Sequence, residues 1–566
     1  MKRGKRMNEQ KVSKLKFVRN ILITLIALGL VATIFSVAPD YILPNKNVGE
    51  TLIINNKDVT TSQRLKNEVI VENNIIYLSE SDISNFFDKY LYYDSKYDQY
   101  ITTSQNKEAT IKVGENKITI NGISSDIKGK IMQRDDDVYF PISDMKDVYN
   151  IDIQNKQDTN IILIDSLDRE QIQAETTKKI SVKIKAKNLS RTIEKVSPGD
   201  KFVLISTSDG WAKIRTNSGR IGYIKEKYIT NKSYVREGEK VNNNKEKVSL
   251  VWDYYSEYAT VPQRQGTTIP GINVISPSFF VLKKLGKGEI IDKADGGVGK
   301  EYVNWAKQNN YKVWPMVAND SMIETTSEIL NDYNLRQEVI ESILNYVDAY
   351  DLDGINIDFE NMYKNDKDMF SRFIIELYPR LKSVNATLSV DVTAPDGGET
   401  WSQCFDRNVI ADNSDYLVFM AYDQTPASST KAGTTAGYNW VKTNLDKFLG
   451  QEGVAKEKLI LGIPFYTRLW TEDASGKVKT ETVNMKDVDT TIPVDVQKTW
   501  LSDVRQNYVE YTQDGNTKKM WIEDLKSIGE KLNLAKDYSV AGVAFWELDR
   551  QDDNVWNEVN KIIFNK

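Results

Sequence analysis

Asn356, Asp358 and Glu360 alternate along "DLDGINIDFENM" (Asp351–Met362), and Ile355, Ile357 and Phe359 occupy the other parity. Residues two apart on a β-strand point to the same face. One face therefore carries an amide and two carboxyls. Two carboxyls about 6.6 Å apart along a strand perturb each other's protonation. Such a pair divides into a protonated acid and a charged partner, the basis of general acid–base catalysis. The same pattern also fits a half-exposed strand or a structural ion-pair network, so the meaning of the row depends on what its polar side faces.

The chain of 566 residues contains no histidine. Ser-His-Asp and Cys-His catalysis, HExxH metalloproteases and every His-ligated zinc site are thereby excluded. Proton transfer must come from Asp, Glu, Lys or Tyr. The single cysteine, Cys404, excludes an intramolecular disulfide and a Cys-cluster metal site, and reads as a small apolar filler. A net charge of -5 argues against a nucleic-acid partner, which calls for a basic stripe.

Over residues 248–566, apolar β-branched runs alternate with helical patterns. The strands are expected at 248–255, 272–282, 311–319, 354–361, 387–395, 416–424, 459–470 and 540–549. "LRQEVIESILNYVDAY" and "KDMFSRFIIELYPRLKS" are two of the helices between them. Eight strands alternating with helices predict a (β/α)8 barrel. The long gap before the last strand holds "YTQDGNTKK", a hairpin turning at Asp514-Gly515; residues 471–530 are expected to form a small α+β insertion. In such a barrel the outer face of each strand meets helices and must be apolar, so the row at 356, 358 and 360 points into the lumen and ends at the catalytic mouth.

On these residues the region is identified as a member of glycoside hydrolase family 18, the chitinase family. "DGINIDFE" resembles its DGxDxDxE signature, "MAYD" (Met420–Asp423) its Met-x-Tyr-Asp, and Trp546 its subsite-floor tryptophan. The resemblance implies substrate-assisted retaining hydrolysis, in which the sugar's 2-acetamido oxygen attacks its own anomeric carbon. It makes Glu360 the acid and base and calls for neither a metal nor an organic cofactor. Asp358 becomes the partner of the acetamido N–H and the oxazolinium cation, and Tyr422 a donor to the acetamido oxygen. Asn356, Asp423, Trp546, Tyr255, Asn319 and Met420 are expected at the substrate; Trp252, Asp253 and Asp391 also lie at or near strand ends, as sugar contacts or as packing. Where chitinases have an acid, this chain has Asn356. The "DGxNIDFE" form resembles the cell-wall and spore-germination branch of the family, which cleaves peptidoglycan after N-acetylglucosamine. Chitin hydrolysis and glycan binding without catalysis are the alternatives.

Residues 50–166 carry the strand–turn–helix arrangement twice, at "NNIIYLSESDISNFF" and "DDVYFPISDMKDVYN". The layout resembles the copper amine oxidase N-terminal-like stalk domain, though copper lacks histidine ligands here. Asp135–Asp137 read as a hairpin turn. After a linker at 166–179, residues 180–231 resemble a bacterial Src-homology-3-like all-β barrel, through "GWAKIRT" and "GRIGYIKEKYI". In that family the module contacts cell-wall peptide or acts as a spacer, and Trp211 and Tyr223 either line a groove or fill the core. A second linker is expected at 232–247.

Residues 21–38 carry no charge and follow a basic segment, 1–20, whose only acid is Glu9. A helix of that length spans about 27 Å, near the hydrocarbon thickness of a bilayer. The positive-inside rule puts the basic end in the cytoplasm and the bulk outside. An uncleaved single-pass anchor is expected, with secretion after signal cleavage as the alternative: "SVA" precedes Pro39, and the apolar run is long for a signal peptide.

Overall fold

The computed structural model describes residues 15–31, 50–62, 64–237, 246–256, 259–395 and 397–566. They divide into two compact units, Met1–Tyr100 with Thr110–Asn242, and Ile101–Ala109 with Asn243–Lys566.

The second unit holds the barrel. Its strands are β1 (Val248–Asp253), β2 (Val274–Pro277, resuming as Phe280–Leu282), β3 (Lys312–Val313 and Met316–Ala318), β4 (Gly354–Asp358), β5 (Thr387–Val392), β6 (Tyr416–Met420), β7 (Leu459–Pro464) and β8 (Gly542–Trp546). Neighbours pair in parallel, and β8 closes onto β1 with Val248 opposite Gly542. The helices are α1 (Gly297–Gln308), α2 (Ile323–Leu330), α3 (Tyr333–Tyr350), α4 (Lys367–Ser383), α5 (Arg407–Asp412), α6 (Tyr438–Gly450), α7 (Leu525–Tyr538) and α8 (Val555–Ile562).

Strand parity separates two apolar layers. On β1, Val248, Leu250 and Trp252 enter the lumen, while Val251 joins the layer under the helices; on β6, Tyr416 and Val418 face in, and Leu417 and Phe419 face out. Trp314 from the third strand region stacks on Tyr416 across the lumen, with ring centres 5.6 Å apart. The lumen is therefore a packed core rather than a pore. On β4, Ile355 and Ile357 lie in the outer layer, and Phe359 just beyond the strand stacks on Phe373 of α4 at 5.7 Å. That anchorage turns Asn356 and Asp358 inward, as the alternation predicts.

The insertion begins earlier and ends sooner than expected. Its five-stranded sheet runs from Tyr466 to Ile522, and α7 belongs to the barrel. The hairpin turns at Asp514-Gly515, both at positive φ, with Gln513 opposite Asn516.

In the first unit both strand–turn–helix copies form. Ile75–Ser79 leads into a helix at Glu80–Phe86 whose N-cap, Ser79, accepts from the Asp82 amide. Asp137–Phe140 leads into a short turn and a helix at Lys146–Tyr149. Asp135, at φ 55°, sits in the turn of the hairpin joining Met132–Arg134 to Asp137–Phe140. The all-β module that follows is wider than 180–231. Gln171–Thr176, inside the expected first linker, is a strand pairing with Phe202–Ser208 and Ile229–Arg236, and the last of these reaches into the expected second linker. Polar composition concealed both: in the first only Ala174 and Thr176 are buried, and in the second no side chain is fully buried. Residues 238–245 lie outside the described ones.

Among the described residues no helix is long and apolar enough to cross a membrane. A helix covers 15–31, and the rest of the expected span, 32–38, lies outside the described residues.

Closure of β8 onto β1 leaves no room at Gly542, where a Cβ would lie 2.0 Å from the Val248 carbonyl oxygen. Gly542→Ala should cost on the order of 3 kcal/mol, read as a lower denaturant midpoint; an unchanged midpoint would contradict the close approach.

Candidate active site

β4 ends at Asp358, and Glu360 follows two residues later at the carboxyl mouth of the barrel. Asn319, just past β3, grips Glu360 by its backbone. The Asn319 Oδ1 accepts from the Glu360 amide at 2.9 Å, and its Nδ2 donates to the Glu360 carbonyl at 2.8 Å. Asn319 is 1% exposed, so its expected place at the substrate gives way to a positioning one: its amide is spent on the chain that carries Glu360.

Asn356 is fully buried and fully used. Its Oδ1 accepts from the Trp252 indole N–H at 2.8 Å and the Ser276 hydroxyl at 3.4 Å. Its Nδ2 donates to the Ser389 Oγ at 3.0 Å and the Asp391 Oδ1 at 2.8 Å. It too is removed from the substrate, lying under the site and joining β1, β2, β4 and β5. Tyr255 is likewise buried, with its hydroxyl donating to the Lys293 carbonyl at 3.2 Å, and Met420 is 6% exposed inside β6. Both are covered at the strand ends, where position along a strand does not distinguish a residue open at the mouth from one packed beneath it. Asp253 is 1% exposed and held by Arg264 and by the Tyr302 hydroxyl at 2.6 Å, an internal ion pair.

Tyr422 stands just beyond β6, edge-on to Tyr466 at 6.3 Å. Gly462 lies against it; a Cβ there would meet the Phe419 carbonyl at 2.8 Å and the Tyr422 ring at 3.4 Å. Burial and the surrounding carboxyls raise the Tyr422 hydroxyl well above its ordinary value, so it remains a neutral donor. Asp423 accepts from the Tyr466 hydroxyl at 2.5 Å and from Arg468 at 2.6 Å, two residues on the first strand of the insertion. Neither was singled out in the sequence, since nothing local ties 466 and 468 to 423. Trp546 closes β8 at the mouth, with rings of Trp252 at 5.8 Å and Tyr254 at 5.6 Å beside it.

Burial pushes the Asp358 carboxyl up to about 7. Burial, then the charges of Asp358 and Asp423, push Glu360 up to about 8. A carboxyl that keeps its proton at neutral pH can donate it to a departing oxygen, and a neighbour that ionises first can face a cation.

The model of the glycosyl hydrolases family 18 matches residues 250–551, just over half of the chain. The chain belongs to glycosyl hydrolase family 18. It is a glycosidase, and the family match runs from within β1 through β8 and includes the insertion, with α8 lying beyond it. The copper amine oxidase N-terminal domain model matches residues 53–164 of the first unit. Among curated relatives, the family 18 region is similar to the uncharacterized glycosylase YvbX of Bacillus subtilis, 25% identical over 303 residues, covering 51% of this chain and 84% of that one. The cortical fragment-lytic enzyme of Bacillus anthracis is 22% identical over 239 residues, 40% of this chain and 53% of that one. The di-N-acetylchitobiase of Rattus norvegicus is 25% identical over 245 residues, 37% of this chain and 65% of that one. This chain thus spans less than two thirds of the length of the last two.

The two raised carboxyls set a pH window for glycan hydrolysis by this family 18 enzyme. Activity should fall on the basic side, where Glu360 loses its proton, and on the acidic side, where Asp358 gains one, with both limbs above the ordinary carboxyl range. Because the Asp423 charge helps to raise Glu360, Asp423→Asn should move the basic limb to lower pH. A basic limb that stays in place would contradict the electrostatic link.

Proposed function

We propose that this family 18 glycosidase acts on peptidoglycan outside the cytoplasm, cleaving the β-1,4 bond after N-acetylglucosamine by substrate-assisted retaining catalysis. The observation that carries the reading is the pair Asp358 and Glu360 on one inward face, with Tyr422 at the same mouth. A double-displacement glycosidase needs a carboxylate on the far side of the sugar, about 5–5.5 Å from the acid. Here both carboxyls leave one strand on one side, an arrangement suited to a nucleophile supplied by the substrate.

Glu360 protonates the glycosidic oxygen as it departs, then takes a proton from the water that opens the oxazolinium ring. Asp358 accepts from the acetamido N–H and, charged, faces the positive ring. Tyr422 donates to the acetamido oxygen and fixes its angle of attack. Trp546 stacks beneath the sugar, and Asp423, braced by Tyr466 and Arg468, sets the local field.

Three features favour peptidoglycan over chitin. Asn356 stands where chitinases have an acid, as in the wall-directed branch. A relative at 22% identity is named a cortical fragment-lytic enzyme. The stalk-like region and the all-β module at 171–236, read as a bacterial Src-homology-3-like domain for wall peptide or as a spacer, suit a wall-associated enzyme. In that module Trp211 carries the Lys225 ammonium 3.8 Å from its ring, on the face of its strand opposite to Ala212 and Ile214, which belong to the apolar core. The charge asymmetry about residues 21–38 supports export, with the catalytic unit on the outer side of the membrane. The chitobiase relative keeps chitin fragments as the second reading.

Purified cell wall digested with the enzyme should yield muropeptides ending in reducing N-acetylglucosamine by mass spectrometry. Glu360→Gln should lower their release about 10²–10⁴-fold. Rapid cleavage of chitin with an inert wall would select the second reading. Tyr422→Phe should reduce kcat by on the order of 10²-fold with the fold intact; undiminished kcat would remove the acetamido-orienting role.

A further inference from the structure

A third carboxyl lies beside Asp358, near the carboxyl end of β5. Asp391 on β5 is 1% exposed. β4 and β5 run in parallel with Ile357 opposite Val390, so the next positions, 358 and 391, are neighbours across about 4.8 Å of strand spacing and share the inward face. Asp391 Oδ1 accepts from Asn356 Nδ2 at 2.8 Å. Its other oxygen, Oδ2, is buried with no hydrogen-bond partner among the described residues, and so is Asp358 Oδ1.

Two orphaned carboxyl oxygens on adjacent strands are costly if both groups are charged, through lost hydration and mutual repulsion. One proton removes both costs, because a carboxylic O–H on one group can donate to the carboxylate of the other. The groups facing Asp391 are Asn356 and Asp358 from β4, Glu360 just beyond it, Trp252 from β1 and Tyr422 beyond β6; none of these carries a positive charge. Burial, then the Asp358 charge, raises the Asp391 carboxyl well above its ordinary value.

We propose that Asp391 is a positioning residue that shares one proton with Asp358 between their two unpartnered oxygens, with Asn356 clamping the remaining Asp391 oxygen. When the sugar ring becomes cationic, the proton rests on Asp391 Oδ2 and Asp358 faces the ring charged. When the ring is neutral again, the proton returns to Asp358 Oδ1. The pair neither gains nor loses a proton in the cycle. The inference rests on the proposed role of Asp358 opposite the cation, and it holds for either glycan.

Two substitutions separate this from a packing role. In Asp391→Asn, the side-chain oxygen still accepts from Asn356 and the new N–H donates permanently towards Asp358. Asp358 is then locked charged, and the acid limb of kcat should move to lower pH with kcat within about 10-fold of wild type. In Asp391→Leu no donor remains, so the acid limb should move to higher pH and kcat should fall more than about 10-fold, with KM little changed. Limbs that stay in place, or that move in the same direction in both variants, would overturn the proposal. The assays use whichever of muropeptide glycan or N-acetylglucosamine oligomers the wild type cleaves. A third measurement needs neither turnover nor a variant. Infrared spectra of the wild-type protein near neutral pH should contain a carboxylic-acid carbonyl band that shifts on ¹³C labelling of aspartate carboxyls, and its absence would also overturn the proposal. An enzyme that cleaves neither glycan but shows the band would fail the proposed function while supporting the shared proton.

Discussion

The site depends on the need to satisfy an amide inside a barrel. Asn356 is fully buried, and a buried primary amide with unused donors or acceptors is strongly destabilising. Trp252, Ser276, Ser389 and Asp391 supply four partners from three other strands. That network ties β1, β2, β4 and β5 together one layer below the mouth. Everything above it, from Asp358 to Trp546, rests on a layer whose positions are fixed by hydrogen bonds rather than by apolar packing alone. Low dielectric at this depth strengthens each bond and also raises every carboxyl nearby. The same burial therefore holds the site rigid and helps Glu360 to keep its proton.

Much of this was legible in the sequence because barrel strands announce themselves twice, by β-branched runs and by parity. All eight strands fall where the runs lie, and the inward direction of residues 356 and 358 follows from Ile355 and Ile357 needing helices to pack on. Parity was less informative about depth. Asn319, Tyr255 and Met420 sit near strand ends, yet the first serves the backbone of Glu360 and the other two are packed. Spacing along one strand says which side a residue takes, not how far neighbouring loops cover it.

What escaped the sequence was mostly contact between distant segments. Arg468 and Tyr466 reach Asp423 across more than forty residues, and no local pattern marks them. The edge strand at Gln171–Thr176 was hidden by its polar composition. Asp391 carried a usable signal. "LSVDV" repeats on β5 the alternation seen on β4, with Ser389 and Asp391 inward and Leu388, Val390 and Val392 outward. Aligning the two strands side by side, rather than reading each alone, brings its carboxyl next to Asp358.

The grip of the insertion on Asp423 has an evolutionary consequence. An appended sheet is usually free to vary, since its loss or replacement leaves the barrel core intact. Here its first strand supplies the cation and the hydroxyl that hold an acid at the catalytic mouth. Exchanging that sheet between family members would therefore transplant part of the proton-affinity tuning of Glu360, so the sheet and the pH profile would be inherited as one cassette.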